Sequence, residues 1–173
     1  MPNQIQSKSW IFDFVTMVAV LVGLTFGAIE LRQLRNTQES QVLIEFYNTY
    51  QTPEYVRGGM LLLDLPDDIS PDEVRSIMQG ENRVALRQQL FTFEGIGLMV
   101  FRGDVSIEVV DQMFRYAVTS AWRKLRPWII EERDRIGYSN SWEWFQWLAE
   151  RLEERSNGEV PVPAYELYRD WRE

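Results

Sequence analysis

The sequence contains neither cysteine nor histidine, and each absence excludes a class of chemistry. Without cysteine the chain can form no disulfide, and it offers no thiolate as a nucleophile or zinc ligand. Without histidine it has no imidazole general base and no imidazole metal ligand. We therefore expect no cofactor and no zinc site, and any catalysis would have to use carboxylate, Arg, Lys, Tyr or hydroxyl groups.

Positive charge is also scarce, with 18 Lys and Arg against 26 Asp and Glu and a net charge of −8. Lys8, Asp13 and Glu30 give the first thirty residues a net charge of −1, which leaves −7 for the rest of the chain. A domain this acidic repels the phosphate backbone of nucleic acids. We therefore expect no nucleic-acid partner.

Long apolar runs are absent except for one near the N-terminus. The sixteen residues from Phe14 to Ile29 carry no charge, and Trp10 extends the run as an interfacial flank. A helix needs about 20 apolar residues to cross a bilayer, which residues 10–29 provide. A cleaved signal peptide is the alternative, but the run is long for one and Asp13 spoils a positive leading region. We predict an N-terminal flank at 1–9, a retained single-pass anchor at 10–30 and one soluble domain at 31–173.

Charges beside the anchor favour a cytoplasmic C-terminal domain, because Arg32 and Arg35 follow the apolar run while Lys8 precedes it. Within the anchor, Ala19, Gly23 and Gly27 lie four residues apart on one helical face. Small residues at this spacing allow two helices to pack closely in lipid, which predicts a homo-oligomer. The alternative is that glycine is simply common in membrane helices.

The rest of the chain predicts an all-α domain, a bundle of about five to six helices, with no strand. The apolar spacing of Leu43, Phe46, Tyr47 and Tyr50 marks one helical face. Helix starts are predicted at Thr52-Pro53, Ser70, Ser106 and Ser141, and helix ends at Gly103, Gly137 and Asn157-Gly158.

Two of these helices carry specific expectations. The segment from Leu90 to Phe101 is apolar nearly all round, which predicts a fully buried central helix. Pro127 lies within the helix that begins after Ser106, and we expect it to kink or break that helix, because proline lacks the backbone N–H and crowds the preceding turn.

Glu94 is a single carboxylate within this apolar segment. Burying it bare would cost several kcal/mol, so it must be paired, protonated or solvated. Its predicted partner is Arg133, with Arg87, Arg123 and Arg126 as alternatives. A structural ion pair that holds two helices in register is one interpretation, and a proton-binding or ligand-binding acid is the other.

The acidic run from Asp64 to Glu73 lacks the spacing and the glycine of an EF-hand, so we interpret it as a solvated loop and a helix start rather than a metal site. Trp142, Trp144 and Trp147 fall within six residues and cannot all face one core. We expect at least one of them to be half exposed.

The order and spacing of several residues resemble a known family. Leu90, Phe93, Glu94, Ile96 and Gly97 are followed by Gly103, Phe114, Trp122, Pro127 and Arg133. This pattern is similar to domain-of-unknown-function family 4760, small bacterial membrane-anchored proteins. The resemblance extends from the anchor to about Leu152 and implies a membrane helix followed by a helical domain. It implies no activity, and it adds weight to Glu94 and Arg133 without giving them a role.

Two functions are compatible with these features. The first is a membrane-tethered, self-associating interaction module that presents a surface to a protein partner and is not an enzyme. The second is a ligand sensor or enzyme built on Glu94 and nearby arginines. A dry Glu94 bonded to one arginine would favour the first, and a polar, solvent-reachable cavity beside Glu94 would favour the second.

Overall fold

A computed structural model shows an all-helical protein. It describes the backbone of residues 6–156 and 162–172, and side chains from residue 13 onward except at 35, 36, 38–40, 42, 43, 45–47 and 49. Trp10 and the face of Leu43, Phe46 and Tyr47 lie outside the described side chains, and the helix end at Asn157-Gly158 lies outside the described residues. Within the described residues there are seven helices: α1 Gln6–Tyr50, α2 Pro53–Asp64, α3 Pro71–Ile77, α4 Gly80–Arg102, α5 Ile107–Ile136, α6 Glu143–Ser156 and α7 Ala164–Leu167.

The chain divides into two units, Met1–Ile44 and Glu45–Glu173. The first contains Asp13–Leu34, a helical segment long and apolar enough to cross a membrane by length and composition. Its large apolar side chains are exposed, as expected of a segment that meets lipid rather than a protein core.

In the second unit, α4 packs against α2 and α6, while α5 packs against α3 and α6. The core consists of apolar side chains from these helices, among them Leu86, Leu90, Phe93, Ile96, Val110, Leu125, Ile129, Phe145, Leu148 and Leu152. Phe93, Trp122 and Phe145 form its aromatic centre, because the rings of Phe93 and Trp122 both contact Phe145, with centroids 5.3 and 5.5 Å away. The face that α6 buries consists of Phe145, Leu148, Ala149 and Leu152.

Local sequence signals set most of the helix ends. Thr52 accepts a hydrogen bond from the Tyr55 N–H, and Ser106 accepts one from the Val109 N–H. Ser70 and Glu73 form a capping box at the predicted start of α3. Gly103 and Gly137 end α4 and α5 at φ of 77° and 70°, in the left-handed region that glycine adopts without strain. These predicted boundaries are confirmed.

Tertiary packing overrides two expectations. Helix α5 continues through Pro127 to Ile136, so the predicted break does not occur. Pro127 is exposed, whereas Leu125, Trp128 and Ile129 around it are buried, and this burial offsets the lost backbone hydrogen bond. Helix α4 is not buried all round either, because Phe91 and Phe101 are exposed.

Contacts between helices also complete helix ends. The buried Lys124 of α5 donates hydrogen bonds to the carbonyl oxygens of Leu62 and Leu63, at 2.9 and 3.0 Å, in the last turn of α2. These carbonyls have no partner within their own helix, so the ammonium group satisfies them from outside. The buried Gln89 donates to the Tyr55 carbonyl at 2.6 Å.

Candidate functional site

Glu94 lies on α4 opposite the first turn of α6. Its carboxylate oxygen Oε2 accepts a hydrogen bond of 2.8 Å from the backbone N–H of Phe145. The first N–H groups of a helix have no partner within the helix and carry partial positive charge. Glu94 therefore caps α6 from a neighbouring helix. The sequence assigned this cap to Ser141, and that assignment was wrong, because Ser141 precedes the first helical residue, Glu143, by two positions.

Arg133 of α5 holds the segment immediately before α6. Its guanidinium donates to the carbonyl oxygens of Ser141 and Trp142, at 2.7 and 3.2 Å. A third hydrogen bond of 2.7 Å reaches the side-chain oxygen of Gln146. The planar fork of an arginine fits several acceptors at once.

Glu94 and Arg133 do not form the predicted ion pair: no salt bridge joins them among the described residues. Both side chains instead bind backbone groups of one segment, Ser141–Phe145. The carboxylate binds free N–H groups of the first helical turn, and the guanidinium binds carbonyls that precede it. Among the alternative partners Arg87, Arg123 and Arg126, Arg123 pairs with Asp67 at 3.3 Å.

Trp142 sits between these two attachments in a strained conformation. Its φ of 59° is positive, which a residue with a bulky side chain adopts only at a cost of about 1–3 kcal/mol. The bond from Arg133 to its carbonyl holds it there. This conformation places the indole against Phe91 of α4, with ring centroids 4.8 Å apart.

Partial burial raises the pKa of Glu94 above its ordinary value, and hydrogen bonds from the Phe145 and Trp144 N–H groups only partly oppose this effect. A raised carboxyl pKa means that the folded protein holds this proton more tightly than the unfolded chain. The free energy of unfolding therefore decreases as pH rises through the interval between the unfolded and folded pKa values, and the loss is complete above that interval.

We expect Glu94→Gln to remove this pH dependence, because the amide oxygen still accepts from Phe145 but does not titrate. Urea unfolding of the wild-type chain and of Glu94→Gln between about pH 4 and about pH 7 tests it. The stability of the wild type relative to the variant should fall with rising pH from just above the ordinary glutamate pKa. A pH-independent difference would contradict the raised pKa.

Glu94 also lines a groove of about 460 Å³ that is open to solvent. The aromatic rings of Phe91, Trp128 and Trp142 line it, together with Glu132 of α5 and with Tyr138, Asn140 and Ser141 from the loop before α6. We call this cavity the Glu94 groove. It is the polar, solvent-reachable cavity that the second sequence-based hypothesis requires.

A second cavity of about 370 Å³ adjoins the first, because Arg87, Trp128, Glu132 and Arg135 line both. Glu132 is the single carboxylate that lines this second cavity. Four arginines also line it: Arg75, Arg83, Arg87 and Arg135. We call it the arginine cavity. Positive charge thus concentrates here in a chain whose net charge is −8.

The four arginines differ in how their charge is balanced. Arg75 pairs with Asp72, Glu131 and Glu132, and Arg135 pairs with Glu132. These contacts lower the pKa of Glu132, with the hydrogen bond from Arg135 as the largest cause. Arg83 and Arg87 take part in no ion pair within the described part of the chain. Arg83 is a site residue that no sequence motif predicted, although its spacing from Arg87 and Phe91 marks one face of α4.

The remaining predicted features have structural roles. In the acidic run, Glu73 caps α3, Asp72 pairs with Arg75, and Asp67 pairs with Arg123. Among the described residues, no group of three or more acidic side chains is placed to hold a metal ion. The three tryptophans of residues 142–147 are all partly exposed, and Trp144 and Trp147 pack against Phe101 rather than on the groove.

Ala19, Gly23 and Gly27 lie in the first unit. A Cβ atom added at Gly23 or Gly27 would meet no atom within 4 Å. The helix contact that these residues predict remains a prediction.

Comparison with known proteins identifies one family. The model of a domain of unknown function, DUF4760, matches residues 17–152, which include part of the apolar segment of α1 and all of α2 to α5. No curated protein and no solved structure matches the chain.

Proposed function

The chain belongs to the DUF4760 family, and we propose that its helical domain is a membrane-tethered module that binds a small ligand in the Glu94 groove. The single observation that carries this proposal is the groove itself, about 460 Å³ and open to solvent at Glu94. Small-molecule sites are concave clefts of this size in which aromatic side chains and polar groups converge.

Features of the groove wall support a binding role. Phe91 is a large apolar side chain, yet it is 60% exposed, and its ring contacts the ring of Trp142. Trp142 keeps a strained backbone that Arg133 secures, and such strain persists mainly where a structure needs a side chain in a fixed place. A preformed wall lowers the entropy cost of binding.

We propose binding rather than catalysis. Two carboxylates line the groove, and both are engaged: Glu94 accepts a backbone hydrogen bond, and Glu132 pairs with Arg75 and Arg135. The chain contains no histidine or cysteine to act as base or nucleophile. A ligand sensor therefore fits the residues better than an enzyme. The net charge of −8 disfavours a nucleic acid as the partner of the domain as a whole.

The membrane tether is part of the proposal. Asp13–Leu34 is long and apolar enough to span a bilayer, and we propose that it is retained as an anchor. Arg32 and Arg35 after the anchor outnumber Lys8 before it, which supports a cytoplasmic domain.

Filling the groove tests ligand binding without assuming the ligand's charge. Asn140 lines the groove and is exposed, so Asn140→Trp should occlude it, and Ser76→Trp on α3 is an exposed control outside it. Thermal unfolding of the full chain in zwitterionic nanodiscs would be measured with anionic, cationic and neutral fragments. We expect some fragments to raise the Tm of the wild type and Ser76→Trp but not of Asn140→Trp. Fragments that stabilise all three proteins equally, or none that stabilise any, would contradict the proposal.

Self-association through the anchor is a second proposed function, in which the module forms homo-oligomers and contacts a further protein partner. The observation that favours it is the open small-residue face of Ala19, Gly23 and Gly27. We expect Gly23→Leu and Gly27→Leu to weaken association in a membrane two-hybrid assay, because a larger side chain keeps the helix backbones apart. Val22→Leu and Phe26→Leu are matched controls on other faces. Equal effects of all four substitutions would show that this face is not an interface.

A further inference from the structure

We infer that the ligand is an organic phosphate, whose anionic group binds Arg83 and Arg87 and whose apolar or aromatic body lies against Phe91 and Trp142. This inference rests on the proposed function, because it names the chemical class that the Glu94 groove and the adjoining arginine cavity would bind together.

The charges of the two arginines repel each other, and no acidic side chain among the described residues pairs with either of them. They lie four residues apart on α4, where like charges repel each other across one helical turn. Neither forms an ion pair among the residues described, although the chain has 26 acidic residues that could supply partners. Arg75 and Arg135, in contrast, are balanced by Asp72, Glu131 and Glu132.

An anion is therefore the chemistry that suits the arginine cavity. Guanidinium groups bind phosphate with two parallel hydrogen bonds each, and a doubly charged phosphate ester matches two unpaired arginines. The arginines also create a local positive field within an acidic protein, which draws a small anion to this cavity and leaves polyanions repelled by the surface as a whole.

The Glu94 groove, in contrast, suits an apolar body. Phe91 follows Arg87 by four residues, as Arg87 follows Arg83, so all three lie along one face of α4. At a rise of about 1.5 Å per residue, the eight positions from Arg83 to Phe91 span about 12 Å. The exposed ring of Phe91 and the indole of Trp142 form an aromatic surface at that distance from the first arginine.

Titration of the full chain in phosphatidylcholine nanodiscs, followed by calorimetry, tests the inference. The probes are biphenyl-4-yl phosphate, its neutral counterpart 4-phenylphenol, and inorganic phosphate. We expect biphenyl-4-yl phosphate to bind at least about tenfold more tightly than either other probe, because only it engages both ends. Added NaCl should weaken its binding, since part of the affinity is electrostatic.

Two double variants with the same change in charge distinguish binding at a specific site from an effect of the net charge. Arg83→Gln with Arg87→Gln should weaken binding of biphenyl-4-yl phosphate by about 100-fold, roughly tenfold for each arginine. Arg126→Gln with Arg169→Gln removes the same charge from exposed positions that line neither cavity, and should change the Kd less than about twofold. All four positions are exposed, so each variant should unfold at the wild-type temperature.

Equal binding of 4-phenylphenol and biphenyl-4-yl phosphate, or equal affinity of both double variants, would overturn the organic phosphate while leaving a groove ligand intact. Fragments that stabilise Asn140→Trp as much as the wild type, or the absence of any stabilising fragment, would overturn the proposed function itself. Phosphatidic acid vesicles that displace the probe would identify a lipid headgroup as a source of the phosphate. Failure to displace it would identify a soluble molecule. Either source supports the inferred class.

Discussion

Gly97→Ala should destabilise the domain by about 3 kcal/mol, the largest effect that we expect from adding a single methyl group. Gly97 lies on α4 where the helix meets the start of α6. A Cβ atom there would lie 2.7 Å from the carbonyl carbon of Trp144 and closer still to its oxygen. These are backbone atoms and cannot rotate away, so α4 and α6 would have to separate. The separation would also lengthen the bond between Glu94 and Phe145.

Gly95→Ala is the matched control two residues earlier on the same helix. A Cβ atom at Gly95 would meet no atom within 4 Å. Alanine has the higher helix propensity, so this variant should gain about 0.5–1 kcal/mol. Urea unfolding of the full chain in detergent micelles, followed by far-UV circular dichroism, would measure both. Equal effects of the two substitutions would show that α4 and α6 do not approach as closely as the structure indicates.

Arg133→Ala should cost about 2–3 kcal/mol, because it removes three hydrogen bonds from a charged donor at once. It removes the guanidinium donor from the carbonyls of Ser141 and Trp142, of which the second keeps only the Gln146 N–H, and it releases the strained Trp142 backbone. Arg133→Lys should recover less than half of the loss, since an ammonium group cannot reproduce the planar fork. Arg126→Ala, an exposed position on the same helix, should change stability by less than about 0.5 kcal/mol.

A double-mutant cycle of Glu94 and Arg133 tests whether the two residues stabilise the start of α6 together or independently. Glu94→Ala alone should cost about 1 kcal/mol, the usual value of a helix cap. Glu94 and Arg133 hold opposite ends of one short segment, so once either is lost the segment is already loosened. The double variant should therefore lose less than the sum of the singles. Strictly additive losses would show that each residue acts alone. Unfolding measured as for Gly97 would provide all four values.

Local signals made much of the fold predictable from the sequence. Thr52, Ser70 and Ser106 begin helices and Gly103 and Gly137 end them, because a cap depends on a side chain and backbone groups within one turn. The apolar segment of α1 was equally visible, since length and composition alone define it. The absence of histidine and cysteine excludes whole classes of site wherever the chain folds.

The groove depends on contacts between distant segments, and no local pattern contains these. Glu94 caps a helix that begins 49 residues later, and Arg133 binds the segment before that helix. The sequence predicted an ion pair between Glu94 and Arg133, because it does not show which backbone groups lie near either side chain. The exposure of Phe91 was also hidden, since an apolar run does not reveal which of its faces another helix covers.

The sequence by itself therefore determined an acidic all-α protein with one segment able to span a membrane. It also determined where several helices begin and end, and it excluded the chemistry that requires histidine or cysteine. Only the tertiary structure decided that α5 continues through Pro127, that α6 is capped from α4, and that Arg83 and Arg87 line one cavity. The physical reason is the range of the interactions involved. Caps and periodicity act within one or two turns, whereas burial, close glycine contacts and an open groove arise only where separate helices meet.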